Sequence, residues 1–484
     1  MLSLFPRRHM LAFYALACCV TLFHLVLFVV VAQLLDAHGG SMRHNIMSQD
    51  QAEFSVIAGN LLGSRAFTLI GDIPETFRTI GYVLVVTGSF ALTGGWFWAP
   101  YMLHAIFLGI TAAATAWLAH AIGVSRRWAL AAGALFGFSS GAVLITVSGM
   151  GSDITYACLY ILAACMLWKH AETRLWRYAF LVGVIAGYAT LTRPLGILGT
   201  MPLIAGILFL AHGSIGDRIR IGWRPTLFAI LAFVLVVSPW MYRNQIVAGH
   251  FSLSSLPVYN FVYYNVPMYL SFENKSVEED ERNAILARLG NPNLYTLRGF
   301  TYSDELSAIQ RDFLMNHGVG YATFHIYKMI PFFLGSSLNV AHIVVVTEAP
   351  DLFVPLFPKV QENLTSKALA GDWRGVLAHL QRYWIVTLER LIWAGVFTFA
   401  FFSPFLAKGT TRLFLILASV IILANAFLTS PVFQPRFRVP AEPFIWISFI
   451  FTLQALWSRF RTREVSNPAR LPAARKETTL LLHE

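Results

Sequence analysis

The run LAFYALACCVTLFHLVLFVVVAQLL, residues 11–35, decides the fold class. It holds no Asp, Glu, Lys or Arg and matches the roughly 20 apolar residues an α-helix needs to cross the hydrocarbon of a bilayer. Arg7 and Arg8 precede it. Basic residues favour the cytoplasmic side, so the N-terminus is expected inside and the chain beyond residue 35 outside. The run is too long for the core of a cleaved signal, and no convincing cleavage site follows. It reads as a retained signal anchor.

The rest of the chain repeats this pattern. Over 484 residues, 56% are hydrophobic and 13% charged, and the mean hydropathy is +0.60. These values describe a polytopic α-helical membrane protein. The net charge of +11 raises nucleic acid as a partner. However, the Lys and Arg sit largely in short loops between apolar runs, where they orient the chain, and nucleic-acid binding is not expected. Cys18, Cys19, Cys158 and Cys165 lie in apolar runs without CxxC or metal spacing, so buried packing is their expected role.

Charge assigns the sides. Crossings are expected at 11–35, 98–122, 127–147, 154–168, 178–191, 195–210, 227–240, 391–407, 413–428 and 439–457. That makes roughly ten, with both termini cytoplasmic. Residues 80–94 are short and glycine-rich, and if they crossed, Arg126 and Arg127 would be outside. They are therefore expected at the interface. Residues 329–346 are broken by Pro331, Gly335 and Asn339, and a re-entrant or surface-lying course is expected there. The chain then divides into a transmembrane module (1–241) with a first outer loop (36–97), a largely extracytoplasmic region (242–390), C-terminal crossings (391–457) and a basic tail (458–484) expected to be disordered. Ser276 and Glu279 match a capping box opening a short charged helix, and a second outer helix is expected over 303–315. The basic stretch GDRIRIGWR (216–224) reads as a cytoplasmic loop.

With these sides, certain polar residues gather at the outer face. In SQDQAEFSVIAGNLL (48–62), Asp50 and Glu53 fall on one face of a helix. Phe54, Ile57, Ala58, Leu61 and Leu62 would lay that helix along the bilayer. Such acids are either simply solvated or held at an active site. Arg78, in FRTIGY, is either a snorkelling interfacial arginine or a functional one. Asp153, in GSD, is either a helix N-cap or a functional acid, and Ser152 could cap equally well. Arg193, in LTRPLG, is followed by Pro194, which stiffens the turn. Arg436 and Arg438, in PRFRVPAEP (435–443), are outside positives that call for a counter-charge. An anionic lipid headgroup would supply one, as would Glu389 or Glu442. Arg243, in SPWMYRN, carries the same ambiguity.

Acids facing an outer cavity can take or orient an acceptor proton. Arginines, with a planar fork of donors and a permanent charge, suit a phosphate whose charge grows as it leaves. No Walker motif or HExxH occurs, and the fourteen His are scattered. Neither a metal nor another cofactor is expected.

The order of QDQAEFSVIAGNLL, FRTIGY, GSD, GVIAGYATLTRP, SPWMYRN and PRFRVPAEP resembles the C-type glycosyltransferase superfamily. Its nearest branch is the protein O-mannosyltransferase and aminoarabinose transferase group. The resemblance implies a C-type transmembrane bundle in a bacterial inner (plasma) membrane. It implies a polyprenyl-phosphate sugar donor, an extracytoplasmic acceptor and inversion at the anomeric carbon. Asp50 matches the first-loop catalytic acid and Asp153 the second-loop acid; Arg193 and Arg436 or Arg438 match recurrent arginines. Gln51 stands where strict protein mannosyltransferases carry a second acid, which argues against that activity. FRTIGY also lacks the proline of the related RTPGYP pattern. Two other readings are a lipid-linked polysaccharide polymerase and a non-enzymatic lipid or solute transporter. Transport is disfavoured because the charges crowd one rim and no internal repeat is visible.

Overall fold

The computed structural model describes residues 7–37, 49–148, 151–194, 196–211, 213–338, 340 and 371–465. The apolar runs fold as helices because a helix satisfies its own backbone groups, which hydrocarbon cannot. Among the described residues there is no β-sheet, and an isolated bridge joins Thr68 to Pro74. Seven helices are long and apolar enough to cross a membrane: Met10–Leu34, Ala99–Ala121, Arg126–Val147, Asp153–Thr173, Ile215–Ala248, Trp384–Leu406 and Gly409–Thr429. The protein is an all-α, multi-pass integral membrane protein.

In chain order the first elements are α1 (Arg7–Ala37), α2 (Gln49–Gly63), α3 (Ile80–Thr93), α4 (Ala99–Ala121), α5 (Arg126–Gly137) and α6 (Ser140–Ser148). Then come α7 (Asp153–Thr173), α8 (Trp176–Thr192), α9 (Gly196–Phe209) and the long α10 (Ile215–Ala248). An outer region follows with α11 (Leu256–Asn260), a π-turn (Phe261–Asn265), α12 (Val266–Asn274), α13 (Glu278–Arg288), α14 (Leu294–Arg298), α15 (Ser303–Tyr327) and α16 (Ile330–Leu334). The chain closes with α17 (Trp373–Arg382), α18 (Trp384–Leu406), α19 (Gly409–Thr429), a 3₁₀ turn (Pro435–Arg438) and α20 (Glu442–Val465).

Helix α4 packs against α1, α5, α7 and α20, while α8 pairs with α7 and α10, and α18 with α20. Leu108, Phe136, Tyr160, Val182, Phe414 and Phe444 are among the side chains filling the main core. The outer region has its own core, built from Phe77, Tyr259, Val262, Tyr269, Leu297, Phe313 and Phe324. A small third core clamps α2 to α3 through Phe54, Ile57, Tyr82, Val83 and Val86. Helix α3 is a shorter apolar helix of 14 residues, as is α9.

Several sequence expectations change. The stretch 216–224 is helix, not loop. Ser214 and Asp217 form a reciprocal capping box that starts α10 there, and it satisfies the backbone N–H groups of both residues. The box expected at Ser276 and Glu279 does not form, because Ser276 donates to Glu281 instead (2.5 Å), as does Asn274 (3.0 Å). The helix expected over 303–315 runs on to Tyr327. The crossing expected at 127–147 is present as Arg126–Val147, with a local irregularity at Phe138 and Ser139 between α5 and α6. Cys158 and Cys165 are buried as expected, but Cys18 and Cys19 are exposed on α1. Residues 341–370, which include the end of the 329–346 stretch, and the tail beyond 465 lie outside the described residues.

A close approach couples α3 to α8. Tyr188 donates to the Gly81 carbonyl (2.9 Å), and a Cβ at Gly81 would sit 2.5 Å from the Leu191 carbonyl carbon. Gly81→Ala is expected to push the two helices apart and lower stability by about 1–3 kcal/mol. Thermal unfolding in detergent measures this, and an unchanged midpoint would show that the helices yield at no cost.

Candidate active site

The site is assembled from six separate chain segments. Asp50 and Glu53 lie in the first turns of α2, and Phe54, Ile57 and Ala58, which follow them on the same side of the helix, anchor it in the α2–α3 core. Arg78 ends the loop before α3. Its shape comes from Glu75, whose carboxylate accepts from the backbone N–H of Phe77 (2.6 Å) and of Arg78 (3.0 Å). A carboxylate turn thus does what the missing proline would have done.

Arg78 lies between both acids. Its Nη2 donates to Asp50 Oδ1 at 2.6 Å and its Nε to Glu53 Oε2 at 2.8 Å. The rings of Phe54 and Phe77 flank the guanidinium, each 5.1 Å away, and hold it rigid. Glu53 is buried and takes a second arginine, accepting from Arg298 at 2.7 and 3.0 Å in a two-pronged contact. Such paired bonds between ions are among the strong ones. Asp50 is different. Its remaining oxygen meets Arg436 at 3.5 Å, and 38% of its side chain is exposed.

Asp153 opens α7. It is not a cap bonded to its own helix; it forms an ion pair with Arg193 at the end of α8. Arg193 and Arg436 lie over the same Phe437 ring, 5.3 and 5.0 Å from its centroid. Phe437 thus contacts both cations, and they still repel, Arg436 lowering the pKa of Arg193 after the larger effect of burial. Beside Arg193 a cavity of about 20 Å³, lined also by Tyr156, Asn425, Thr429 and Phe437, has room for about one water.

The charges are unbalanced. Asp50, Glu53 and Asp153 face Arg78, Arg193, Arg298 and Arg436, so positive charge is in excess. Burial tends to raise the Asp50 pKa, but Arg78 and Arg436 outweigh it and hold Asp50 down at about 2. Burial likewise works against Arg78, yet Asp50 and Glu53 keep its pKa above the ordinary value. Burial lowers Arg436, and Asp50 only partly restores it. Arg436 is thus a desolvated cation whose contact with Asp50 is long, at 3.5 Å.

Because the folded pKa of Asp50 lies below its ordinary 3.8, its ion pairs stabilise the protein fully above 3.8 and lose that effect as pH falls towards 2. The stability difference between wild type and Asp50→Asn is expected to be constant at neutral pH and to close across that acid window. Unfolding midpoints of both proteins against pH test this; a gap closing well above 3.8 contradicts it.

No known protein family matches this chain, and no curated protein or solved structure matches it either.

Two of the arginines singled out from sequence stand apart from this group. Arg243 donates to the backbone carbonyls of Glu75 (2.6 Å) and Phe67 (3.4 Å) and packs on the Phe67 and Trp240 rings. It pins the first outer loop to α10. Arg438 is fully buried. It reaches Glu442 (3.4 Å), the carbonyls of Phe332 and Gly335, and Ser337, and it lies 3.7 Å from the centroid of Trp393. Glu442 is the counter-charge for Arg438, whereas the carboxylate beside Arg436 is Asp50. Sequence reasoning missed Arg298 and Phe437. Arg298 is a lone arginine in LYTLRGF whose partner Glu53 is far upstream, and no local pattern announces such a pair. Phe437 could have been found, since an aromatic between two outside arginines is a ready contact for both.

Proposed function

We propose that the protein is a membrane glycosyltransferase that moves a sugar from a polyprenyl-phosphate donor to an extracytoplasmic acceptor, with inversion. The reading rests above all on Asp50, a half-open carboxylate touching the surplus arginines. In this reading α8, α9 and α20 add crossings to the seven long helices, giving roughly the ten of a C-type glycosyltransferase bundle.

The donor phosphate lies between Arg436 and Arg193, on either side of Phe437. As it binds, it competes with Asp50 for Arg436. Asp50 loses part of the field that holds it near 2 and becomes a better proton acceptor. The acceptor hydroxyl oxygen then attacks the anomeric carbon from the face opposite the phosphate. The bond from that carbon to the phosphate oxygen breaks, and its electron pair stays on polyprenyl phosphate. The arginines stabilise this new charge. The acceptor proton passes to Asp50 and then to water. Arg78 and Glu53 keep Asp50 in place, and Asp153 orients Arg193.

The test is release of free polyprenyl phosphate by purified protein, using a panel of polyprenyl-monophosphate sugars with and without host membrane extract. Extract-dependent release is expected. Arg436→Gln is expected to raise the donor KM roughly tenfold or more, as for loss of a charged phosphate contact. No release from any donor by folded protein would overturn the proposal.

A further inference from the structure

The outer region carries an aromatic surface that the chemistry above does not use. Between α11 and α12 the chain makes one turn of π-helix, Phe261–Asn265. Such turns widen the helix and redirect side chains, and they recur at functional sites. Here Val262 points into the outer core, and Phe261 packs on Phe313 and Tyr321. Tyr263 and Tyr264 project elsewhere. Tyr263 stacks on Tyr259, with centroids 4.9 Å apart and planes at 13°. Tyr264 stands edge-on to Tyr263, also at 4.9 Å.

Arg282 fixes the pair. It lies over both rings, at 5.1 and 5.9 Å, and donates to the Tyr263 carbonyl at 3.1 Å. A continuous path joins this cluster to the site. Tyr259 contacts Phe77 (5.3 Å), Phe77 carries the Arg298 guanidinium (4.2 Å), and Arg298 holds Glu53. Tyr264 is 36% exposed, whereas Tyr259 and Tyr269 in the same region are 4% and 5% exposed. Tyr264 also stands edge-on to Tyr259, with centroids 6.1 Å apart.

We infer that Tyr264, braced edge-on by Tyr263, forms a stacking platform for a sugar ring of the acceptor, which makes the acceptor a carbohydrate; this rests on the glycosyltransferase reading above. A pyranose presents a face of weakly positive C–H groups that suits the negative face of an aromatic ring. Its hydroxyls would lie at the ring edge, where the tyrosine hydroxyls can meet them. The platform belongs to the acceptor because the donor phosphate is placed at Arg193 and Arg436, beside the transmembrane helices. Tyr264 is on the outer region, beyond the Glu53–Arg298 pair. An acceptor sugar resting there would present its hydroxyl to Asp50.

The test uses purified full-length protein in detergent and saturation-transfer NMR with free tetrasaccharides of glucose, mannose and N-acetylglucosamine. At least one is expected to show transfer to its ring C–H protons. Tyr264→Leu is expected to weaken that binding roughly tenfold, and Tyr264→Phe to keep it. Binding of no tetrasaccharide, equal binding by Tyr264→Leu, or binding of a Ser/Thr-rich peptide in their place would overturn the inference. Donor release is read on the same samples. Release without sugar binding removes the platform and leaves the transferase reading standing. Tyr264-dependent sugar binding without release keeps the platform and removes the transferase.

Discussion

Asp50→Asn is expected to lower sugar transfer about a thousandfold, within the range a positioned proton acceptor contributes, while leaving the protein folded. The substitution keeps the shape of the side chain and removes its charge. Arg78 is not orphaned, because Glu53 still accepts from it at 2.8 Å. Arg436 loses a long 3.5 Å contact at a position where Asp50 was already 38% exposed. Glu53→Gln should behave differently. It removes the charge shared by Arg78 and Arg298 in a buried place, so stability and activity should fall together. The measurements are release of polyprenyl phosphate and thermal unfolding of both variants beside wild type. Undiminished release by Asp50→Asn would move the catalytic acid elsewhere, first to Asp153.

The largest stability effect is expected at Arg438. Arg438→Met should destabilise the protein by about 3–5 kcal/mol, as for other buried pairs with one partner removed. The cause is what the arginine leaves behind. Glu442 would remain fully buried with a charge and one hydroxyl donor, Ser139 at 2.7 Å. The Phe332 and Gly335 carbonyls would lose their arginine donor, and an unmet buried acceptor is costly. Adding Glu442→Gln should recover part of the loss, because the stranded charge is then gone. Unfolding midpoints of the single and double variants decide this. A single variant as stable as wild type, or a double variant no better than the single, would refute the account.

Much of this arrangement could be read from the chain, for identifiable reasons. Long uncharged runs admit little besides crossing helices. Arg436 and Arg438 stood out because cations on the outer side oppose the usual charge bias, and each proved to have a carboxylate at hand. Which acid serves which arginine was not legible. Asp50 is hundreds of residues from Arg436, and only the packing of the bundle brings them together. The same holds for Arg298. Asp153 was ambiguous because helix starts and ion pairs favour the same residue type, and its contact with Arg193 exists only once α7 lies beside α8. The early start of α10 was hidden by its basic residues, although Ser214 and Asp217 are spaced as a box.

The unequal contacts of the two acids on α2 have a genetic consequence. Changes at Glu53 strike assembly, so a cell would clear such protein and behave as a simple null. Changes at Asp50 are expected to leave an intact molecule that still holds the arginines proposed to bind phosphate. A cell carrying both wild-type and Asp50→Asn copies would then keep lipid-linked donor sequestered on silent protein. Expressed in excess, that allele should be dominant and should interfere with the resident enzyme, whereas a Glu53→Gln allele should be recessive. Growth and surface-glycan profiles of the two merodiploid strains would separate these outcomes, and equal behaviour would show that the two acids share their duties after all.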